Sequence, residues 1–207
     1  YGIRYGAIER PTHRSTQWDA ARFEVPAHRW IDLSEADYGV SLLNDCKYGF
    51  DVHDSIMRIS LLRAPTHPDP NCDEGVHDMT YSLYPHAGSW QEAATVQRGY
   101  ELNVPLVTTV ATAKNGNLPR EKAFASVDAK NVIIDCIKKA EDTDDIIVRV
   151  YEAHGARGPV RLTFGKTAVR VSECDLMEEN DVSIEAHGNT VSFGILPWEI
   201  RTFKVRF

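Results

Sequence analysis

The sequence has no apolar run that approaches the roughly 20 residues a helix needs to cross a bilayer. Its first residues, Tyr1 to Gly6, lack the charged and apolar regions of a signal peptide. We therefore expect no membrane partner. Because the chain also has no initiator methionine, we expect it to be a piece of a longer protein whose targeting sequence lies elsewhere.

Positive charge is scarce. The 207 residues contain 23 Lys and Arg against 30 Asp and Glu, which gives a formal net charge of −7. The charges are spread along the chain, so the basic stripe of a nucleic-acid-binding protein is missing. The composition therefore argues against nucleic acid as a partner. The length suffices for one large domain or two small ones.

Cysteine is also scarce, and the four residues Cys46, Cys72, Cys136 and Cys174 are widely spaced with no C-x-x-C pair. This spacing argues against a zinc ribbon, a redox motif and a dense disulfide framework. We expect free thiols in a reducing compartment. Spacing alone leaves open two long-range disulfides.

Motifs for nucleophilic, phosphate-binding or metalloprotease chemistry are absent: the sequence has no G-x-S-x-G, phosphate-binding glycine loop or H-E-x-x-H. The run from Asp69 to Asp73 resembles the start of an EF-hand loop. It departs from that pattern because Pro70 lies inside it, Gly75 comes one position late, and Thr80 occupies the twelfth position. We predict a loop ordered by hydrogen bonds from backbone N–H groups to Asp side chains, and no metal site.

Isolated histidines supply no catalytic group by themselves. His28 lies near Trp30, and His86 follows Tyr84 and a proline. In such surroundings a histidine is more often a hydrogen-bonded packing residue, and the sequence shows no partner that would position it as a base. The role of His77 stays open.

Alternation with a period of two is the dominant pattern that is present. It occurs in residues 57–61 and again in residues 77–83, where Tyr81 and Leu83 share the apolar face. Later segments with the same pattern are 146–150, 160–164, 182–184, 191–195 and 203–207. Short alternating strands separated by Gly, Asn and Pro predict a mainly β fold, an antiparallel β-sandwich.

One segment has helical spacing. Ser89 and Glu92 form a capping-box pattern, apolar residues follow at helical intervals, and Pro105 stops the helix. We predict one short helix over 89–102.

Composition also predicts a division of the chain. Residues 111–122 are rich in Asn, Gly, Pro and Lys and are the expected connection. We predict a front part of the sandwich over 1–110. Residues 123–207 would either complete that sandwich or form a small second β-subdomain.

The chain closely resembles the C-terminal β-domain of cytoplasmic-type α-mannosidases, glycoside hydrolase family 38. Residues 1 to about 110 match strongly, and the rest matches mainly in strand pattern and ending. The segments that carry the resemblance are 23–35 (FEVPAHRWIDLSE), 38–49 (YGVSLLNDCKYG), 60–65 (SLLRAP), 73–77 (DEGVH), 84–88 (YPHAG) and 197–203 (PWEIRTF).

The resemblance implies a non-catalytic role for this chain. Family members carry their retaining catalytic carboxylates and divalent metal ligands in an N-terminal α/β domain, which this chain does not contain. We therefore assign no catalytic residue, metal ligand or cofactor here, and expect zinc or cobalt in that other domain. The implied partners are the N-terminal catalytic domain of the same polypeptide and an α-mannoside or oligomannose substrate, and the implied location is the cytoplasm.

The resemblance also implies a substrate-facing loop after the strand that ends at Asn44. Lys47 is the first candidate for contact with the leaving-group side of the sugar, followed by Asn44, Asp45 and Tyr48. Other members carry arginines where this chain has Cys46 and Lys47, and an ammonium offers three donors but no bidentate fork. The alternative is a strand end at which Asp and Lys only pair at the surface.

A different class of function stays open, an autonomous carbohydrate-binding or structural β-module. Exposed aromatic faces would favour binding, and the possible platforms are Trp18, Trp30, Trp90 and Trp198. The sequence also leaves open whether the chain forms homo-oligomers. If the resemblance holds, the chain alone hydrolyses no α-mannoside.

Overall fold

The computed structural model of the chain describes residues 1–110, 112, 116–117 and 119–207. Two compact units follow each other, Tyr1–Val107 and Thr108–Phe207. The predicted connection 111–122 lies partly outside the described residues. The predicted domain boundaries therefore stay a prediction.

The first unit contains eight short strands and two helices. In chain order they are β1 (Gly2–Ile3), β2 (Gly6–Ala7), α1 (Gln17–Ala21), β3 (Val25–Pro26), β4 (Trp30–Ser34), β5 (Tyr38–Asn44), β6 (Gly49–His53), β7 (Ile56–Ile59), β8 (Tyr81–Ala87) and α2 (Thr95–Asn103).

Two three-stranded antiparallel sheets form the body of this unit, in the orders β3-β6-β7 and β4-β5-β8. Ile31 and Leu42 of the second sheet pack with Phe50 of the first and with Ala27. All four are buried, because each strand turns its alternate residues towards the facing sheet. The second sheet has α2 on its other face, so β5 is buried on both sides.

The orientation predicted for β8 is wrong. Tyr81 and Leu83 are exposed, while Tyr84 and His86 face the protein. The Tyr84 hydroxyl donates to the carbonyl of Ala93, just before α2, at 3.0 Å. The segment just before α2 therefore contacts the polar face of this strand, and alternation alone does not reveal which face such a contact buries.

The predicted helix is present but begins later than expected, at Thr95. The capping-box hydrogen bonds exist: Glu92 N–H donates to Ser89 Oγ at 3.3 Å, and Ser89 N–H donates to the Glu92 carboxylate at 2.9 Å. Ala94, however, has a φ of 55°, so it interrupts the helical path.

The sequence prediction missed α1. This five-residue helix is capped by Thr16 and Asp19 and has no buried residue. An element without a buried face leaves no periodic apolar pattern to find.

The described residues of the second unit contain eight strands. They are β9 (Ala125–Val127), β10 (Val132–Lys139), β11 (Ile146–Glu152), β12 (Gly158–Phe164), β13 (Arg170–Cys174), β14 (Val182–Ile184), β15 (Thr190–Ile195) and β16 (Ile200–Arg206).

An antiparallel sheet of five strands, β10-β11-β16-β13-β14, and one of three strands, β15-β12-β9, enclose the core of this unit. Eleven buried residues form that core: Val132, Val148, Val150, Val160, Leu162, Phe164, Val171, Val191, Ile195, Phe203 and Val205. They come from both sheets and alternate with outward-facing neighbours. The predicted antiparallel β-sandwich is confirmed.

Glu152 is buried at the end of β11 and is fully engaged in hydrogen bonds. Its carboxylate accepts from the N–H groups of His154 (2.9 Å), Gly155 (2.8 Å) and Trp198 (3.0 Å), and from Asn131 Nδ2 (2.9 Å). Gly155 has a φ of +73° and lies against the Trp198 ring, so a side chain there would be strained and would collide with the indole. One carboxylate thus joins three loop segments.

Candidate functional site

The loop between β5 and β6, residues 44–49, is anchored by Asn44. This residue is fully buried. Its Nδ2 donates to the carbonyl of His28 at 2.8 Å, and its Oδ1 accepts from the N–H of Lys47 at 2.7 Å. Both ends of the amide are therefore engaged with backbone, and the side chain fixes the shape of the loop.

Asp45 ties the loop to the segment that enters β8. Both carboxylate oxygens lie 3.0 Å from the N–H of Thr80, and the Asp45 N–H donates to the Thr80 carbonyl at 3.1 Å. The hydrogen bond from the Cys46 thiol, followed by that from Thr80, lowers the pKa of Asp45. Asp45 is thus an ionised anchor of the loop.

Of the two remaining residues, Tyr48 is exposed and Lys47 is half-buried. In the described part of the chain the Lys47 ammonium has no hydrogen bond or ion pair, and Asp45 binds Thr80 in place of Lys47. Tyr48 is 47% exposed, and its ring packs edge-on against His28 with 5.4 Å between the ring centroids. The loop therefore presents an unpaired cation beside an aromatic face.

The four predicted residues lie together but differ in availability. Asn44 and Asp45 hold the loop, whereas Lys47 and Tyr48 are free to meet a ligand. Contact of any of them with substrate stays a prediction.

A buried polar cluster under α2 escaped the sequence analysis. His86 Nε2 and Asp32 Oδ2 are 2.7 Å apart, and both side chains are only 3% exposed. The hydroxyls of Ser34 and Ser41 donate to Asp32 at 2.7 Å each, and Ser41 Oγ lies 2.8 Å from Thr95 Oγ1. The cluster joins the sheet to the first turn of the helix.

This cluster pairs a histidine with a carboxylate, but both of these side chains are almost wholly shielded from solvent. Ser34 is exposed at the border of the cluster, and the His86 Nδ1 atom has no hydrogen-bond partner among the described residues. Gly39 is part of the arrangement because a side chain there would collide with the His86 ring. The pairing of Ser41 opposite Tyr84 in β5 and β8 brings the polar residues onto one face, and a pairing between such distant segments leaves no local signal in the sequence.

Metal ligation finds no support in the described ranges, where no group of three or more His, Cys, Asp or Glu side chains could hold an ion. In the EF-hand-like run, Asp69 accepts from the N–H of Asn71 at 2.9 Å and Asp73 from the N–H of Ala64 at 2.7 Å. His77 Nε2 lies 3.0 Å from the Asp73 carbonyl. The loop is ordered by its own backbone, and the lack of a metal site stays a prediction.

Of the four tryptophans, Trp18 is the most accessible. Trp30 is buried and packs on Trp90 with centroids 4.9 Å apart, and Trp198 is partly exposed. Trp18 is 78% exposed on α1.

Two further observations concern the cysteines and the helices. All four cysteines are free. Within the described residues, no helix is long and apolar enough to cross a membrane.

Two family models match the chain. Residues 1–71 match the Glycosyl hydrolases family 38 C-terminal domain, and residues 131–203 match the Glycosyl hydrolases family 38 C-terminal beta sandwich domain. Together the two matches cover more than half of the sequence and fall in different units.

Relatives of the chain are named as alpha-mannosidases. Alpha-mannosidase G of Dictyostelium discoideum is 42% identical over 99% of this chain, which spans 19% of that protein. Alpha-mannosidase 2C1 of Homo sapiens is 45% identical over 87% of this chain, which spans 18% of that protein. The chain thus spans about a fifth of the length of the curated relatives it matches.

A crystal structure of an alpha-mannosidase from Enterococcus faecalis V583 has a similar fold. It superposes with a TM-score of 0.74 and 18% sequence identity over 97% of this chain and 23% of that one. At this identity the likeness concerns the fold alone.

Proposed function

Because the chain belongs to the C-terminal region of glycosyl hydrolases family 38, we propose that it is the non-catalytic β part of an α-mannosidase. The complete enzyme would be a retaining glycosidase that releases mannose from α-mannosides or oligomannose glycans. The family match in both units carries this proposal, and the relatives named as alpha-mannosidases support it.

The chemistry of bond cleavage belongs, in this proposal, to a catalytic domain elsewhere in the same polypeptide. A retaining glycosidase needs two carboxyl groups about 5–5.5 Å apart. That domain would supply the carboxylates and the zinc or cobalt ion. The length of the relatives, about five times that of this chain, leaves room for it.

The contribution of this chain to substrate binding would come from the loop of residues 44–49. Lys47 would donate a charge-assisted hydrogen bond to a hydroxyl on the leaving-group side, and Tyr48 would offer its face to the C–H surface of the sugar. Asn44 and Asp45 would hold the loop in place, as their hydrogen bonds to backbone groups suggest.

The test is Lys47→Ala in the full-length enzyme. We expect kcat/KM to fall roughly 10- to 100-fold, because a hydrogen bond to a charged group contributes about 1.5–3 kcal/mol and each 1.4 kcal/mol is tenfold. The loss should be larger for a mannose disaccharide than for an aryl mannoside, whose leaving group offers fewer partners.

The matched control is Lys166→Ala, which removes an exposed lysine of the second unit. This variant should leave kcat/KM unchanged for both substrates. Near-wild-type kinetics of Lys47→Ala with both substrates, at unchanged thermal stability, would contradict the role given to this loop.

We also propose a cytoplasmic location. The four free thiols support a reducing compartment, where exposed cysteines such as Cys46 and Cys72 stay reduced. Cell fractionation with the full-length protein tests this, and recovery from the secretory pathway would contradict it.

The second candidate function is an autonomous carbohydrate-binding module, favoured by the exposed Trp18. Calorimetric titration of the 207-residue chain with a mannose disaccharide distinguishes the two candidate functions. Binding that Trp18→Ala abolishes would support the module, whereas no binding is expected of a part that only completes another domain's site.

A further inference from the structure

The β8 strand leaves an apolar face uncovered. Leu42 of β5 and Leu83 of β8 are paired across the sheet, so both side chains project from the same face. Leu42 is 5% exposed, whereas Leu83 is 67% exposed. The facing sheet thus covers β5 but stops short of β8.

The other residues on this side of β8 are exposed as well. They form, with Leu83, the surface that we call the β8 face: Tyr81, Leu83, Pro85 and Ala87. Polar residues occupy the opposite side, where Tyr84 donates a hydrogen bond to the carbonyl of Ala93, just before α2, and His86 is hydrogen-bonded to Asp32 of β4. An exposed sheet normally turns its polar side to water, so this arrangement is inverted. An uncovered row of apolar residues marks a contact surface.

The edge of β8 favours a partner that packs on this face over one that adds a strand. Strand β8 is the last strand in its sheet. Pro85, in the middle of it, has no N–H to offer to another strand. Side-chain packing against Leu83 is therefore the more favourable contact.

We propose that the β8 face is the docking surface for the part of the α-mannosidase polypeptide that lies outside residues 1–207. This inference rests on the proposed function. The length of the relatives supports this occupant, because about four-fifths of their residues lie outside the matched region. A second copy of this chain is a poorer occupant, since each copy carries a net charge of −7.

Docking on this face would bring the candidate loop, residues 44–49, next to the docked domain. Tyr81 is paired with Asn44, the first residue of the loop, and Thr80 is hydrogen-bonded to Asp45. Leu83 lies two residues further along β8, about 7 Å at the usual rise per residue of a strand. A domain that covers Leu83 therefore meets the loop at its border.

A photo-crosslink maps the occupant directly. The photoreactive amino acid p-benzoylphenylalanine replaces the residue at position 83 of the full-length polypeptide, which keeps an apolar side chain there. After irradiation, mass spectrometry identifies the linked peptide. Position 182 in β14 provides the control, because Val182 is an exposed apolar strand residue of the other unit.

We expect a link from position 83 to a peptide outside residues 1–207 of the same molecule. A link to a second molecule would overturn the proposal in favour of an interface between copies. A link within residues 1–207, or no link, would also overturn it.

Leu83→Asp gives a second readout. A carboxylate in a docked apolar face should raise the rate at which a protease separates the 1–207 region from the rest by about tenfold. Val182→Asp should leave that rate unchanged, and equal rates for the two variants would contradict docking. Failure of the proposed function would appear instead as a full-length protein without α-mannosidase activity, whatever position 83 contacts.

Discussion

The two units bury apolar surface in different ways. In the second unit, sheets of five and three strands enclose a cluster of eleven buried residues. In the first, two sheets of three strands share a cluster of four, and the β8 face is bare. The second unit has the larger closed core, whereas the first carries the β8 face that we propose as a docking surface.

Buried polar groups differ in the same way. Glu152 of the second unit is matched by four donors within one junction of loops. The Asp32 and His86 pair of the first unit joins a sheet to a helix and leaves His86 Nδ1 without a partner among the described residues. We expect stability to depend on apolar packing in the second unit and on polar contacts in the first.

The largest effect should come from Phe203→Ala, in the core of the second unit. Phe203 is fully buried and packs on Phe193. Its truncation should lower the free energy of unfolding by about 3–5 kcal/mol in urea titration. Phe124→Ala, at an exposed position, should change little. Similar losses in the two variants would refute the closed core.

The second-largest effect should come from Asp32→Ala in the first unit. It leaves His86, Ser34 and Ser41 without their common acceptor. We expect a loss of about 2–3 kcal/mol, because buried groups left unsatisfied cost about 1–3 kcal/mol. Urea titration measures it, with the exposed Asp37→Ala as the control. A loss no greater than that of the control would mean that the cluster does not hold α2.

A smaller effect should depend on pH. Burial alone would raise the pKa of Glu152, but hydrogen bonds from the Trp198 N–H, Asn131 and other N–H groups lower it below its ordinary value of 4.5. Its contribution to stability is therefore present above pH 4.5 and is lost as the pH falls through the lowered pKa.

Glu152→Gln tests this contribution. It should destabilise the chain by about 1–2 kcal/mol at neutral pH, since an amide nitrogen would face N–H donors. The difference from wild type should shrink in acid when unfolding curves are recorded across this range. Glu185→Gln, at an exposed site, should show no such trend. A constant difference at every pH would contradict the ionised state of Glu152.

The smallest effect should come from Arg98→Ala on α2. Arg98 pairs with Glu101 at 2.6 Å, and both side chains are largely exposed. Such a pair contributes about 0.3–0.5 kcal/mol. The temperature of thermal unfolding should therefore barely change. A loss of stability comparable to that of Asp32→Ala would contradict the contrast between exposed and buried polar contacts.

Local pattern predicted the fold class because alternation survives in isolated strands. It failed for β8, where contacts with Ala93 and Asp32 decide the buried side, and for α1, which has no buried side. The His86 and Asp32 pair joins residues 54 positions apart, beyond any local signal. At the candidate loop, the sequence indicated which polar groups cluster but not that Asn44 and Asp45 are held by backbone partners.

The most direct test is a structure of the full-length enzyme with a bound mannose disaccharide analogue. We predict that the Lys47 ammonium lies within about 3.2 Å of a hydroxyl of the leaving-group sugar, the usual limit of a hydrogen bond. A separation of more than about 6 Å, beyond the reach of one bridging water, would contradict it.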